Sequence, residues 1–362
     1  MLNEPPARWY ARSAPRTATA HPAAPAAVRE FHASLPGYAP TRLAELPSLA
    51  RELRVGRVFV KDESSRLGLP AFKALGASWA IHRALSERGG VSGPLTLVTA
   101  TDGNHGRAVA RMARLLGHRA HVFVSAGVHP GAADAIAAEG ALVTRVDGPY
   151  DDAVRHAAAL ADGATDALLV QDTAWPGYER VPGWIVEGYS TLFREIDDQL
   201  AAAGAPRPDV VAVPIGVGSL AQAAVTHYAG PFGPAPTLLG VEPVGSACVL
   251  SSLLRGERTS VPTGPTIMAG LNCGTPSTLA WPLLHEGLTA AVAVTDEQSA
   301  RAGHALAALG VSSGPCGAAS LAGVRAAVRT EDRRTALGLR PDATIVLLST
   351  EGTAANPHHR GP

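Results

Sequence analysis

The chain has 362 residues, 46% hydrophobic and 17% charged, with 31 basic and 31 acidic side chains and a formal net charge of zero. That length can bury a large core and ordinarily divides into two domains, while the lack of net positive charge or a basic stripe leaves electrostatic nucleic-acid binding nothing to work with. No run of about eighteen apolar residues marks a membrane span and the start, Met1-Leu-Asn-Glu-Pro-Pro, lacks the basic-then-apolar layout of a secretory signal, so a cytoplasmic protein with neither membrane nor nucleic acid as partner is expected.

Along the chain, the Arg-, Ala- and Pro-rich stretch from Ala7 to Arg29 is expected as a frayed arm, because its prolines break amphipathic helicity. Strands are predicted near 57–60, 95–99, 119–124, 142–145, 168–170, 209–214, 237–241, 289–294 and 344–349. They alternate with helical patterns, the signature of open, mostly parallel α/β sheets. The segment from Pro243 to Thr278 is poor in regular pattern and reads as a covering loop.

The chemistry-bearing residues fall where strands give way to helices. Arg57-Val-Phe-Val60 is a strand, Lys61-Asp-Glu63 ends it, and a helical pattern follows from Phe72. Lys73 therefore opens a helix beside an aromatic ring, where lost solvation would lower its pKa and raise its nucleophilicity, as a Schiff-base lysine requires. The next strand and helix, Leu95-Thr-Leu-Val98 and Gly106-Arg-Ala-Val-Ala-Arg, enclose Asp102-Gly-Asn104-His105, a turn that aims backbone N–H groups and short polar side chains at an anion. Farther on, Val210-Val-Ala-Val-Pro214 leads into Gly216-Val217-Gly218-Ser219-Leu220 and a helix, a turn that lets backbone approach a phosphate. It has neither the dinucleotide spacing nor a P-loop lysine, so the phosphate it suits is a coenzyme's.

Together these strings resemble a fold-type II pyridoxal 5′-phosphate enzyme, a relative of tryptophan synthase β, and within that group the diaminopropionate ammonia-lyases. The likeness is carried by Phe31-His32, Leu35-Pro-Gly-Tyr-Ala-Pro40, Lys61-Asp-Glu-Ser64, Ala71-Phe72-Lys73-Ala-Leu-Gly76, Ala100-Thr-Asp102-Gly-Asn104-His-Gly106, Gln171-Asp172-Thr-Ala-Trp175, Met268-Ala-Gly-Leu-Asn-Cys-Gly274 and Ser349-Thr350-Glu-Gly352. The resemblance implies two open, twisted α/β domains with pyridoxal 5′-phosphate in the cleft between them: residues 1–76 and 166–362 as the larger, 77–165 as the smaller, inserted one. It also implies a homodimer acting on a small amino acid, and no metal.

Residue roles implied by the resemblance follow position by position. Lys73 would carry the coenzyme and act as a base at the substrate's Cα, Phe72 would flank it, and Asn104 would meet the coenzyme's phenolate oxygen. Gly216, Val217, Gly218, Ser219 and Leu220 would cradle its phosphate, and Thr350 would face its pyridine nitrogen. Asp102 would be a second base opposite Lys73, allowing both D- and L-2,3-diaminopropionate to lose ammonia and yield pyruvate, and Asp172 would bind the β-ammonium. On position alone an Asx turn or a helix cap accounts equally for Asp102, and a solvated strand-end acid for Asp172.

Cys248 and Cys273 correspond to a region where the family can hold a cysteine pair, although two free thiols better suit a cytosolic chain; Cys316 reads as packed in a glycine-rich turn. His105 reads as a hydrogen-bonding scaffold, and His358-His359 as a solvated pair. After Gly352 the chain continues Thr353-Ala-Ala-Asn356-Pro357 where the family has an acidic run, which leaves a serine or threonine dehydratase, or a β-replacement enzyme, as the alternative.

Overall fold

The computed structural model describes residues 8–13, 24–89, 93–148, 150–229 and 234–355. Asn356, Pro357 and His358-His359 lie outside them. Among the described residues eleven strands occur in chain order: β1 Trp9–Ala11, β2 Leu43–Glu45, β3 Arg57–Asp62, β4 Thr96–Ala100, β5 Arg119–Ser125, β6 Leu142–Val146, β7 Ala167–Leu169, β8 Val210–Pro214, β9 Thr237–Pro243, β10 Ala290–Val294 and β11 Thr344–Ser349. They form two sheets, one in each of two compact units.

The first unit comprises Met1–Ala23, Pro40–Glu63 and Leu192–Gly352. Its seven-stranded sheet runs β1-β10-β9-β8-β11-β3-β2, parallel throughout its middle and antiparallel only at the two short edge strands. β8, β10 and β11 are buried along their whole length, which is why they read in sequence as unbroken Val, Ile, Leu and Ala runs. The Pro315–Ala327 helix packs on this sheet so closely that a Cβ at Gly323 would lie 2.4 Å from Val241 Cγ2.

Two expectations change here. Part of the supposed frayed arm is β1, which pairs with β10 from Trp9 opposite Val292 to Ala11 opposite Ala290. Arg8 donates to Ser251 Oγ (3.2 Å) and Arg333 lies over the Trp9 ring, so side-chain contacts offset the ordering cost of a three-residue edge strand. Within the supposed covering loop runs the Cys248–Arg255 helix. Its first turn is held by Glu242, whose carboxylate accepts from the Val249 and Leu250 N–H groups at 2.8 and 2.7 Å, a cap supplied from β9 rather than from the helix's own N-cap position.

The second unit comprises Ala24–Ala39, Ser64–Thr191 and Thr353–Pro362. Its four-stranded sheet, β6-β5-β4-β7, is parallel throughout. By this grouping residues 24–39, 64–76 and 166–191 go with this sheet, where the expectation put them with the larger domain. The reason is local packing: Lys73–Glu87 is one continuous helix set against the Asn104–Leu115 helix, and β7 pairs directly with β4.

Candidate active site

Lys73 begins its helix with no side-chain cap, and the first turn is fixed by its neighbours. A Cβ at Gly76 would sit 2.6 Å from Tyr189 Cε1, and one at Gly188 2.5 Å from the Leu75 carbonyl oxygen, so only glycines allow the Arg180–Ala202 helix to cross this close. Buried His32 donates from Nε2 to that same Leu75 oxygen (3.0 Å), and its Nδ1 accepts from Thr191 Oγ1 (2.7 Å). The amine at the end of this rigid mount lies 5.4 Å from the centre of the Phe72 ring and donates to Asp172 Oδ2 at 2.6 Å.

The chain contains only two lysines. The other, Lys61 on β3, is fully buried and already donates to Thr41 O (2.8 Å), Glu195 Oε2 (2.6 Å) and Gln199 Oε1 (2.9 Å). Lys61 is thus sealed among oxygens, whereas the Lys73 side chain is 21% exposed.

Asp172 follows β7 by three residues and is buried. Burial alone would raise its carboxyl, but Lys73, aided by His105, outweighs burial and holds it down to about 2. Asp102 follows β4 and takes the opposite course: burial first, then the negative charge of Asp172, push it up to about 7. His105, in the first turn of the Asn104–Leu115 helix, donates from Nε2 to the Val170 carbonyl (2.7 Å), which makes it a scaffold. Its Nδ1 is buried without a hydrogen-bond partner among the described residues and lies 3.8 Å from Asp172 Oδ2. Burial, the largest influence on it, lowers the pKa of that imidazole.

The cap or Asx-turn account of Asp102 does not hold. Thr101 Oγ1 accepts the N–H groups of Gly103 (3.0 Å) and Gly106 (3.1 Å), doing the capping itself. Gly103 takes φ +155°, and Asn104 is the first helical residue. Among the described residues the Asp102 carboxylate accepts no hydrogen bond, which frees it for other chemistry.

In the first unit, the turn after β8 has Gly218 at φ +106°, and a Cβ there would lie 2.6 Å from Leu284 Cδ1. A Cβ on Gly216 would meet the Gly270 carbonyl oxygen at 3.0 Å and Cys273 Sγ at 3.1 Å. The Ser219–Tyr228 helix that follows has no side-chain cap. Thr350 is buried just beyond β11, its N–H 2.9 Å from where a Cβ on Gly317 would be. Cys248, Cys273 and Cys316 are all free thiols.

Comparison with known proteins bears on this arrangement. A profile described as "Pyridoxal-phosphate dependent enzyme" matches residues 34–351. The chain belongs to that family. The diaminopropionate ammonia-lyase of Escherichia coli strain K12 is 36% identical over 360 residues, 92% of this chain and 89% of that one. The crystal structure of Escherichia coli diaminopropionate ammonia-lyase in complex with an aminoacrylate–PLP azomethine reaction intermediate superposes with a TM-score of 0.89 at 33% identity, covering 98% and 96% of the two chains. The same enzyme in complex with D-serine gives 0.84 at 33% identity, covering 92% and 90%.

Pyridoxal phosphate is thus the family's coenzyme, and the residues present fit it. Its aldehyde calls for a lysine amine, and of the chain's two lysines only Lys73 is part-exposed. Within the first unit, Gly216–Ser219 is a backbone-lined turn opening an uncapped helix, a feature suited to a phosphate. An unpartnered buried nitrogen, His105 Nδ1, adds a polar group with capacity to spare. Sequence reasoning overlooked Tyr189, whose buried hydroxyl lies beside Lys73 and is pushed up to about 12 mainly by burial. A tyrosine on a long amphipathic helix looks like ordinary core, and no sequence signal separates it.

Proposed function

We propose that the protein catalyses α,β-elimination of D- and L-2,3-diaminopropionate, which with one water gives pyruvate and two molecules of ammonia. The observation that carries this reading is the trio Lys73, Asp172 and Asp102: one lysine paired with an ionised carboxylate, and a second carboxyl able to take a proton near neutral pH. Its support from relatives is the Escherichia coli ammonia-lyase, similar along nearly the whole chain.

When bound, the coenzyme supplies an electron sink for bond breaking at the substrate's Cα. Lys73 takes the Cα proton of one isomer and Asp102 that of the other, from the opposite face. Asp172, ionised across the physiological range, holds the β-ammonium that leaves as ammonia. Asn104 would meet the coenzyme's phenolate oxygen, with Phe72 alongside Lys73. Gly216, Val217, Gly218, Ser219 and Leu220 would receive the phosphate, and Thr350 would face the pyridine nitrogen. A hydroxyl there holds the ring nitrogen protonated less firmly than a carboxylate would, which suits elimination.

Pyruvate release from D- and L-diaminopropionate, run beside D- and L-serine, tests the reading. Fast turnover of both diaminopropionate isomers is expected. Preference for serine would move the assignment to a dehydratase.

A homodimer and a cytoplasmic location belong to the same proposal. Exposed Val244 and Leu254 supply apolar surface of the kind a second copy covers, and three free thiols suit a reducing compartment. Light scattering at twice the chain mass, and recovery in the soluble cytosolic fraction, are the expected results.

A further inference from the structure

β7 is the edge strand of its sheet, and it must leave that sheet to deliver Asp172 to Lys73. The backbone ladder to β4 ends where the Val170 N–H donates to Val98 O at 2.8 Å. One residue later a side chain takes over from the main chain. Gln171 is fully buried, and its Oε1 accepts both the Ala100 N–H (2.9 Å) and Thr99 Oγ1 (3.0 Å). Its Nε2 donates to the Tyr150 hydroxyl at 2.7 Å. The carboxamide thus stands in for the peptide unit the departing strand no longer offers, and a buried N–H of β4 keeps its partner.

The outer side of the strand is secured as well. Tyr178 donates its hydroxyl proton to Leu169 O (3.0 Å) and accepts the Gln171 N–H (2.9 Å), bracketing Val170 and replacing the next strand that an edge lacks. Trp175 stacks on Tyr178 with ring centres 4.5 Å apart, closing the turn that carries Asp172. A chain leaving a sheet with unpaired buried amides would cost a full desolvation penalty for each; here each of these groups has a partner.

We infer that Gln171 is a positioning residue: its carboxamide ties the end of β4, which leads into Asp102, to the strand exit that carries Asp172, and so fixes both carboxylates around Lys73. The inference rests on the roles proposed above for those carboxylates. Gln171 itself touches neither substrate nor coenzyme in this account.

The test uses the coenzyme-loaded protein and two readouts. Gln171→Ala should speed amide exchange at Ala100 by about tenfold, as loss of one buried hydrogen bond predicts. In parallel, Gln171→Ala should raise KM for diaminopropionate about tenfold more than KM for serine, because serine has no β-ammonium for Asp172 to hold. Should that variant fail to fold, Tyr150→Phe removes the hydroxyl that accepts from the carboxamide's Nε2 with almost no change in volume, and the same pattern is expected at smaller amplitude. Unchanged Ala100 exchange overturns the inference, as does an equal loss on both substrates when Asp172→Asn does discriminate between them. If Asp172→Asn itself does not discriminate, the role given to Asp172 falls, and the exchange result alone decides whether Gln171 positions the strand exit.

Discussion

Asp102 and Asp172, neighbours in one cluster, lie on opposite sides of the ordinary carboxylate range, one raised to about 7 and the other lowered to about 2. Burial raises Asp102 first of all, and the Lys73–Asp172 pair adds to the asymmetry. Lys73 donates directly to Asp172, and the anion so stabilised, together with burial, disfavours ionisation of Asp102. Pairs of carboxyls driven apart in this way divide the work of proton transfer and charge binding.

Asp102 must be ionised to accept a proton, so turnover of the isomer that depends on it should rise as pH increases through about 7. Turnover of the other isomer should lack that limb. Asp102→Asn should abolish the limb and lower the dependent isomer's kcat by ~10²–10⁴-fold, leaving its counterpart within about tenfold. Rate profiles for D- and L-diaminopropionate against pH check both outcomes, and equal losses would sink the two-base assignment.

The same shifts predict how stability depends on pH. Between the unfolded value near 3.8 and about 7, folded Asp102 retains a proton that the unfolded chain has lost, so its contribution falls as pH rises through that window. Buried Glu242, also raised to about 7, chiefly by burial, acts in the same direction. Asp172 has the opposite sign: its contribution is present above about 3.8 and is lost as pH falls toward 2. Urea midpoints of the coenzyme-free protein should decline less steeply between pH 5 and about 7 in Asp102→Asn than in the parent.

Because the chain has only two lysines, the covalent coenzyme site can be read without ambiguity. Borohydride reduction followed by peptide mapping should label Lys73 alone. Lys73→Ala should lose at least ~10³-fold in turnover and the labelled peptide together. Lys61→Met should instead destabilise the fold by about 3–5 kcal/mol, because it takes the lysine's charge away from buried Glu195. Label on Lys61 would contradict the assignment.

Gly218→Ala combines a left-handed backbone with a Cβ 2.6 Å from Leu284 Cδ1. A stability loss of about 1–3 kcal/mol is expected, accompanied by weaker coenzyme retention on dialysis. A variant that retains both the melting temperature and the coenzyme would remove this turn from the phosphate site.

Nine of the eleven strands and the positions of Lys73, Asp102 and Asp172 at strand and helix ends were legible in the sequence, because buried parallel strands announce themselves as apolar runs and their exits carry polar residues. β1 and β2 were not, since three-residue edge strands are decided by a partner far along the chain. The Cys248–Arg255 helix was missed for a like reason: its cap, Glu242, belongs to another element.

By itself, then, the order of residues determined the α/β class through local pattern, and the family through the resemblance of its motif strings. Only the tertiary structure decided that Thr101 rather than Asp102 caps the turn, that Lys61 is locked away from chemistry, and that two aspartates of equal intrinsic acidity part to about 2 and about 7. Those outcomes depend on which charges and hydrogen-bond partners meet after burial, and Lys73 and Asp172 meet across 99 residues of chain.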